Sequence, residues 1–434
     1  MTGVATIRGR ATGEHAIAAQ SLLRGFDAKP VTVLAAMSPQ LPTALVAALV
    51  HEGRRRASVV TLLLADLAGR WDFLDREALD SLAAGTLRVV TIAGGVPRHV
   101  AGLTDHLPVS LWDVDRMIAT GELPIDVFVA RVAAGADQAQ VSYGDMIGFS
   151  ASALEVAEHV GFEVVPHRVV HPGTDGIPLA RAEVVVLGSA VPTTGTAAGS
   201  VTAEQRAIGG HVARLVPDGA TLQVGLGAVP AAVAAGLAGK ADLGIHSGIL
   251  PAGLQALITG GAATGRRKTR QRRRHVATGL LGGDPLAWGA DVLLQPVSET
   301  HDPVGLLALE SLWAVNSALE VDLCGQVNAE YAAGAKVASG GGQVDFIRAA
   351  HSCSQGASVV AIPSRTRTGT PRIVPRLGVP TTTPGSDVDY VVTEHGIARL
   401  RGASAAERAD AIAAVAHPDD RRALREGGTR LADA

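Results

Sequence analysis

Cysteine is nearly missing from this chain: 434 residues contain two, Cys324 and Cys353. They form neither a disulfide framework nor a spaced pair of metal ligands, and such sparse use suits a reducing cytoplasm. Aromatic residues supply only 3% of the chain. Cores must therefore come from Val, Leu, Ile and Ala, and the interleaved aromatics of a nucleic-acid surface are absent. Excess charge is missing too, with a formal net charge of −3, so no general field draws the protein to nucleic acid or to a membrane. There is no uninterrupted apolar run of about 18 residues or more, as a bilayer-spanning helix would need. The opening MTGVATIRGRATGEHA lacks the apolar h-region of a secretory signal. These absences lead us to expect a cytoplasmic protein with no metal and with neither nucleic acid nor membrane as partner.

What the chain does have is apolar material, 47% of its residues, and 51 glycines. Its length exceeds what one core usually organises, and two domains are expected, 1–189 and 190–434. β-branched runs at 31–36, 57–65, 87–95 and 182–190 read as buried strands. Between the early ones lie helical stretches such as LPTALVAALVHE (41–52). This alternation predicts α/β architecture with largely parallel sheets. GSAVPTTGTAAGSVT, at about 188–202, reads as a linker. Beyond it, Thr202 and Gln205 have capping-box spacing at the start of a helix. ATLQVGLG, SVVAIPS (358–364) and VDYVVTEHG (388–396) read as further strands, and SAAERADAIAAVAHPDDRRALREG as one final amphipathic helix.

Several stretches could carry chemistry. In LQVGLGAVPAAV, Gly225 and Gly227 precede Ala228 and an Ala-rich segment, so backbone N–H groups at a helix start could face an anion or a thioester oxygen. Tight packing is the plainer reading, and the spacing is not a dinucleotide fingerprint. In ASGGGQVDF, Gly340, Gly341 and Gly342, followed by Gln343, could form an oxyanion hole or simply a hairpin. VNSALEVDLCGQVNAEY offers the carboxylates Glu320, Asp322 and Glu330. Glu394 and His395 are adjacent near a strand end, where neighbours face opposite ways and cannot form a dyad without a bulge. RRKTRQRRR (266–274) places seven cations in nine residues. It reads as a solvated loop or as a cationic rim for a phosphate-bearing ligand. ADLGIHSGIL (241–250) sets His246 and Ser247 before Gly248. Here the histidine could hydrogen-bond the backbone or serve as a base, and no GxSxG surrounds the serine.

Taken in order, SVTAEQRAIGGHVARLVPDGATLQVGLGAVPAAV, NSALEVDLCGQVNAE, GGQVDFIRAA, RIVPRL, DVDYVVTEHGIARLRG and AHPDDRRAL resemble the acetyl-CoA hydrolase/transferase family. That family includes 4-hydroxybutyrate and acetate CoA-transferases. The likeness is dense from about residue 200 to 425. It implies two CoA-transferase-type α/β domains with the site in a cleft between them. It also implies coenzyme A, as acyl-CoA, for substrate, a small carboxylate or other acceptor, and a homodimer. Members use a glutamate that attacks the thioester and then carries CoA as a glutamyl thioester. In them a glutamate follows the hydroxyl residue of the segment resembling LGIHSGIL; here that place holds Gly248. Three outcomes stay open: a displaced carboxylate such as Glu299 or Glu330 is the nucleophile, the acyl group passes directly to water or another acceptor, or the protein only binds acyl-CoA. The glycines at 225, 227, 248 and 340–342, with Ala228 and Gln343, are expected to shape the acyl and CoA site.

Overall fold

The computed structural model describes residues 5–6, 11–67, 69, 71–134, 139–166, 171, 176–189, 201–283 and 286–432. The proposed linker at 188–202 falls largely outside them. The chain forms two compact units. One is drawn from 1–194, 294–298 and 337–341, the other from 195–293, 299–336 and 342–434.

The first unit is wound outward from a central strand, Val31–Ala35. Parallel neighbours extend one way through Val60–Asp66, Leu87–Gly94 and Asp105–His106. They extend the other way through Val127–Ala134, His159–Val165, Val184–Leu187 and Ala5–Thr6. Such strands bury both faces, so they read as continuous apolar runs rather than alternating ones. VTLLLAD, for instance, is buried at every position but Thr61. The helix expected at 41–52 is Thr43–Arg55, and it turns Leu45, Val46, Leu49 and Val50 inward.

The second unit carries the parallel order Gly244–Ile245, Thr221–Val224, Leu312–Asn316, Ala357–Ala361 and Tyr390–Thr393. An antiparallel edge, Gly396–Arg399, completes it. Ala203–Leu215 begins at a complete capping box, with Thr202 accepting from the Gln205 N–H and Gln205 accepting from the Thr202 N–H. This helix lies so near Ala228–Gly236 that a Cβ on Gly209 would stand 2.4 Å from the Ala232 carbonyl oxygen. Glycine is used here for close backbone approach.

Two expectations are corrected. The final helix is not continuous: Ala405–Val415 and Arg421–Ala432 are separate, with a 3₁₀ turn at Pro418–Asp420 between them. Pro418 has no N–H to donate and disfavours helical backbone at His417. Arg365 pairs with Asp420 at 2.6 Å across that break. Glu394 and His395 are not strand residues facing apart. They form the tight turn between Tyr390–Thr393 and Gly396–Arg399, and the turn brings Glu394 Oε1 within 3.4 Å of His395 Nε2. Ser364 donates to the same carboxylate through its N–H at 2.9 Å and through its hydroxyl.

Among the described residues no helix is long and apolar enough to cross a membrane.

Candidate active site

The site grows from the short strand Gly244–Ile245, which leads directly into His246. The His246 N–H donates to the Leu222 carbonyl and the Ser247 N–H to that of Val276, each at 2.9 Å. Strand pairing on both sides thus fixes the backbone leading to Gly248, whose own carbonyl accepts from Thr278 N–H at 2.7 Å. Gly244 makes room just upstream. A Cβ there would meet Lys268 Cγ at 2.4 Å, so the lysine stem lies across bare backbone. Its ammonium donates to the carbonyls of Ile245 (3.1 Å) and Arg274 (2.8 Å).

Position 248 is not an empty space. A Cβ built on Gly248 would lie 3.2 Å from His301 Nε2, 3.3 Å from His301 Cε1 and 3.6 Å from Phe346 Cε2. His301 is positioned by its neighbours in PVSETHDP. Asp302 caps the short helix Pro303–Leu307, accepting from Gly305 N–H at 2.8 Å, with Pro303 at the first helical position, where its missing N–H costs nothing. On the other side, Thr300 holds both imidazoles. Its carbonyl accepts from His246 Nε2–H at 3.0 Å, and its hydroxyl pairs with His301 Nδ1 at 2.8 Å. Phe346, from the helix Gln343–Ser352, closes the group, its ring centroid 4.8 Å from that of His301 and 6.4 Å from that of His246.

Burial sets the charge state of this cluster. Loss of hydration holds His246 down to about 3, helped by the positive charge of Lys268 and opposed by the Thr300 carbonyl. Burial alone takes His301 to about 3. His275 is lowered to about 4 by burial and Lys268, and Lys268 to about 7 by burial and then Arg270. The imidazoles are therefore neutral at neutral pH. His246 Nδ1 and His301 Nε2 are both buried without a hydrogen-bond partner. A buried polar atom left so costs about 1–3 kcal/mol.

The other sequence candidates are placed as follows. Ser247 is fully buried and its hydroxyl donates to the Ile249 carbonyl at 3.2 Å. Glu299 is exposed in the short helix Val297–Thr300. Glu330 accepts from Lys336 at 2.6 Å and from the Thr382 hydroxyl at 3.1 Å. Asp322, fully buried, accepts from the N–H groups of Cys324 and Gln326 at 3.0 Å each. Glu320 accepts from Asn328 at 2.9 Å. A Cβ on Gly225 would meet Asn316 Oδ1 at 2.9 Å, above the doubly hydrogen-bonded Gln223–Asn316 amide pair. Gly227, at φ +119°, is the N-cap of the helix that starts at Ala228. Gly342 is likewise the N-cap of the helix that Gln343 opens, so GGGQ leads into a helix rather than a hairpin. Gly341 takes φ +56° and, with Gly340, belongs to the first unit.

His301 and Phe346 were not singled out in the sequence. The one available signal was a histidine directly before the Asp-Pro start of a helix. In the basic run, Lys268 is interior, whereas Arg266, Arg267, Arg272, Arg273 and Arg274 are exposed. Among the described residues no cluster of three His, Cys, Asp or Glu could hold a metal ion.

Both units are α/β with mostly parallel main sheets. Residues 287–427 match the acetyl-CoA hydrolase/transferase C-terminal domain. The chain is 33% identical over 342 residues to a 4-hydroxybutyrate coenzyme A transferase of Clostridium kluyveri, covering 76% of this chain and 79% of the relative. It is 32% identical to a succinyl-CoA:cyclohexane-1-carboxylate CoA transferase of Geobacter metallireducens, covering 76% and 77%. Among solved structures it is similar to RipA from Yersinia pestis, with a TM-score of 0.83, 28% identity, and 95% and 97% of the two chains covered. A 4-hydroxybutyrate CoA-transferase from Porphyromonas gingivalis is similar with a TM-score of 0.76 and 27% identity, covering 96% and 97%. The chain belongs to the acetyl-CoA hydrolase/transferase family, whose enzymes act on acyl-CoA.

Proposed function

We propose that this enzyme cleaves an acyl-CoA thioester and passes the acyl group directly to water or another acceptor, with no glutamyl-CoA intermediate. The observation that carries this reading is position 248. A glycine stands where the family resemblance places a nucleophilic glutamate, and the ring of His301 lies against the place where that side chain would begin. The displaced carboxylates are less well suited. Glu330 is held by Lys336 and Thr382, and Glu299 is turned to solvent. Ser247 donates to backbone carbonyls and has no base beside it among the described hydrogen bonds. The expected setting is a cytoplasmic homodimer.

Incubation with a panel of acyl-CoAs is expected to release free CoA steadily without acetate or any other carboxylate. Borohydride or hydroxylamine trapping should leave every glutamate unmodified in the mass spectrum. An acyl or CoA adduct on Glu299, Glu330 or another carboxylate, with turnover only in the presence of acetate, would sink the reading in favour of an ordinary transferase.

The exposed arginines bear on how CoA is held. Arg272 Nε donates to the Arg266 carbonyl at 3.2 Å, and none of Arg266, Arg272 and Arg273 has an acidic partner among the described ion pairs. We propose that they face the CoA phosphates. Neutralising Arg272 and Arg273 together should weaken CoA binding about tenfold in low salt, and should flatten its dependence on ionic strength, because exposed charges are screened within about 10 Å at 0.1 M salt. Equal affinity in wild type and variant would return the run to a solvated loop.

A further inference from the structure

A cleavage that bypasses the glutamate still needs a group to take the acceptor's proton. We propose that His301 Nε2 is the general base that deprotonates a water molecule as it attacks the thioester carbon. This rests on the reading of direct acyl transfer above.

Four observations bring the argument to this atom. Nε2 lies nearest the bare face of Gly248, 3.2 Å from where a Cβ would stand. It has no hydrogen-bond partner, although His301 is 1% exposed. A water O–H that reached it would supply the missing bond. The proposed base is the tautomer in which Nδ1–H donates to the Thr300 hydroxyl, 2.8 Å away, and with Phe346 edge-to-face at 4.8 Å the Nε2 lone pair is aimed rather than free to swing. Gly248 itself is half-buried while His301 is fully enclosed. His246 offers a second partnerless nitrogen, Nδ1, but the contacts around Gly248 are made by His301 and Phe346.

The step balances as follows. An oxygen lone pair of water forms the C–O bond while one of its protons moves to Nε2. The tetrahedral intermediate then collapses, and the C–S bond breaks with its electron pair going to sulfur. The imidazolium returns its proton to the departing CoA thiolate, leaving a neutral ring, free CoA and a carboxylic acid that ionises. No oxidant, reductant or metal is required.

General-base catalysis contributes about 10²–10⁴-fold. Because burial holds His301 at about 3, it is a weaker base than one matched to the working pH, and His301→Ala and His301→Gln are expected to lower kcat for CoA release about tenfold to 100-fold while KM for acyl-CoA stays within about twofold. Added imidazole should restore part of the rate in His301→Ala, where the ring has been deleted, and not in His301→Gln. The wild type should show a solvent deuterium isotope effect on kcat that vanishes in both variants. A ring that merely fills space would give neither rescue nor loss of the isotope effect. The inference is overturned if wild type releases CoA and either variant keeps its kcat, or if His246→Asn alone abolishes the isotope effect. Failure of the underlying reading looks different: wild type itself releases no CoA without a carboxylate acceptor.

Discussion

Lowering the pH from about 7 to about 5 is expected to strip most of the stability from the second unit. His246, His275 and His301 are held at about 3, 4 and 3, chiefly by burial, against 6.5 in an exposed chain. Between those limits the unfolded chain binds protons that the folded one refuses, so stability falls as pH drops below 6.5 and goes on falling toward 3 to 4. Each ring contributes about 2 kcal/mol by pH 5, or about 6 kcal/mol for the three together. That is comparable with the whole stability of a typical domain. Paired carboxylates such as Asp420, held below its usual range by Arg365, lose their contribution only at lower pH. Histidines therefore dominate the window from 6.5 to 5. Urea midpoints measured across it should give a slope approaching three protons, and His275→Gln should remove one of them. A flat profile would show that water reaches these rings in solution.

Installing glutamate at position 248 is expected to damage the enzyme rather than convert it. The new Cβ would press on an imidazole fixed by Thr300 and Phe346. Forcing extra atoms into a packed site costs about 1–3 kcal/mol. Gly248→Glu alone should lower the Tm and the rate of CoA release, with no CoA adduct on the new residue. Combined with His301→Ala, which removes the obstructing ring, the same glutamate should regain Tm, and mass spectrometry should find it carrying CoA. The two changes are adjacent and are expected to be strongly non-additive. A stable, CoA-modified single variant would mean that His301 yields easily, and the packing argument about position 248 would fail.

The α/β fold was largely legible because buried parallel strands write themselves as unbroken apolar runs. VTVLAA, ASVVTLLLA and LRVVTIAGG each contain a strand of the first sheet, and Thr202–Gln205 announced a helix start through a local hydrogen-bonding pattern. Local chemistry also explains the misses. Pro418 breaks a pattern whose apolar spacing continues across it, and VDYVVTEHG reads as one strand up to its glycine although the chain folds back there as a tight hairpin, Thr393 pairing with Gly396. The candidate site was half legible. His246 to Gly248 stood out as a departure from a family motif, but the residues that complete the cluster are distant in sequence. His301 and Phe346 reach Gly248 only through the packing of the second unit. Burial separates Glu299 from the two residues after it, and a segment of eight letters does not reveal which of its side chains turn inward.

Suspending both rings from Thr300 makes their placement a single degree of freedom. A shift of the main chain at 300 drags the His246 ring through the carbonyl and the His301 ring through the hydroxyl. Joint movement of the two rings is thereby inherited from one residue that both of them contact, and it requires no relay of side chains to transmit it.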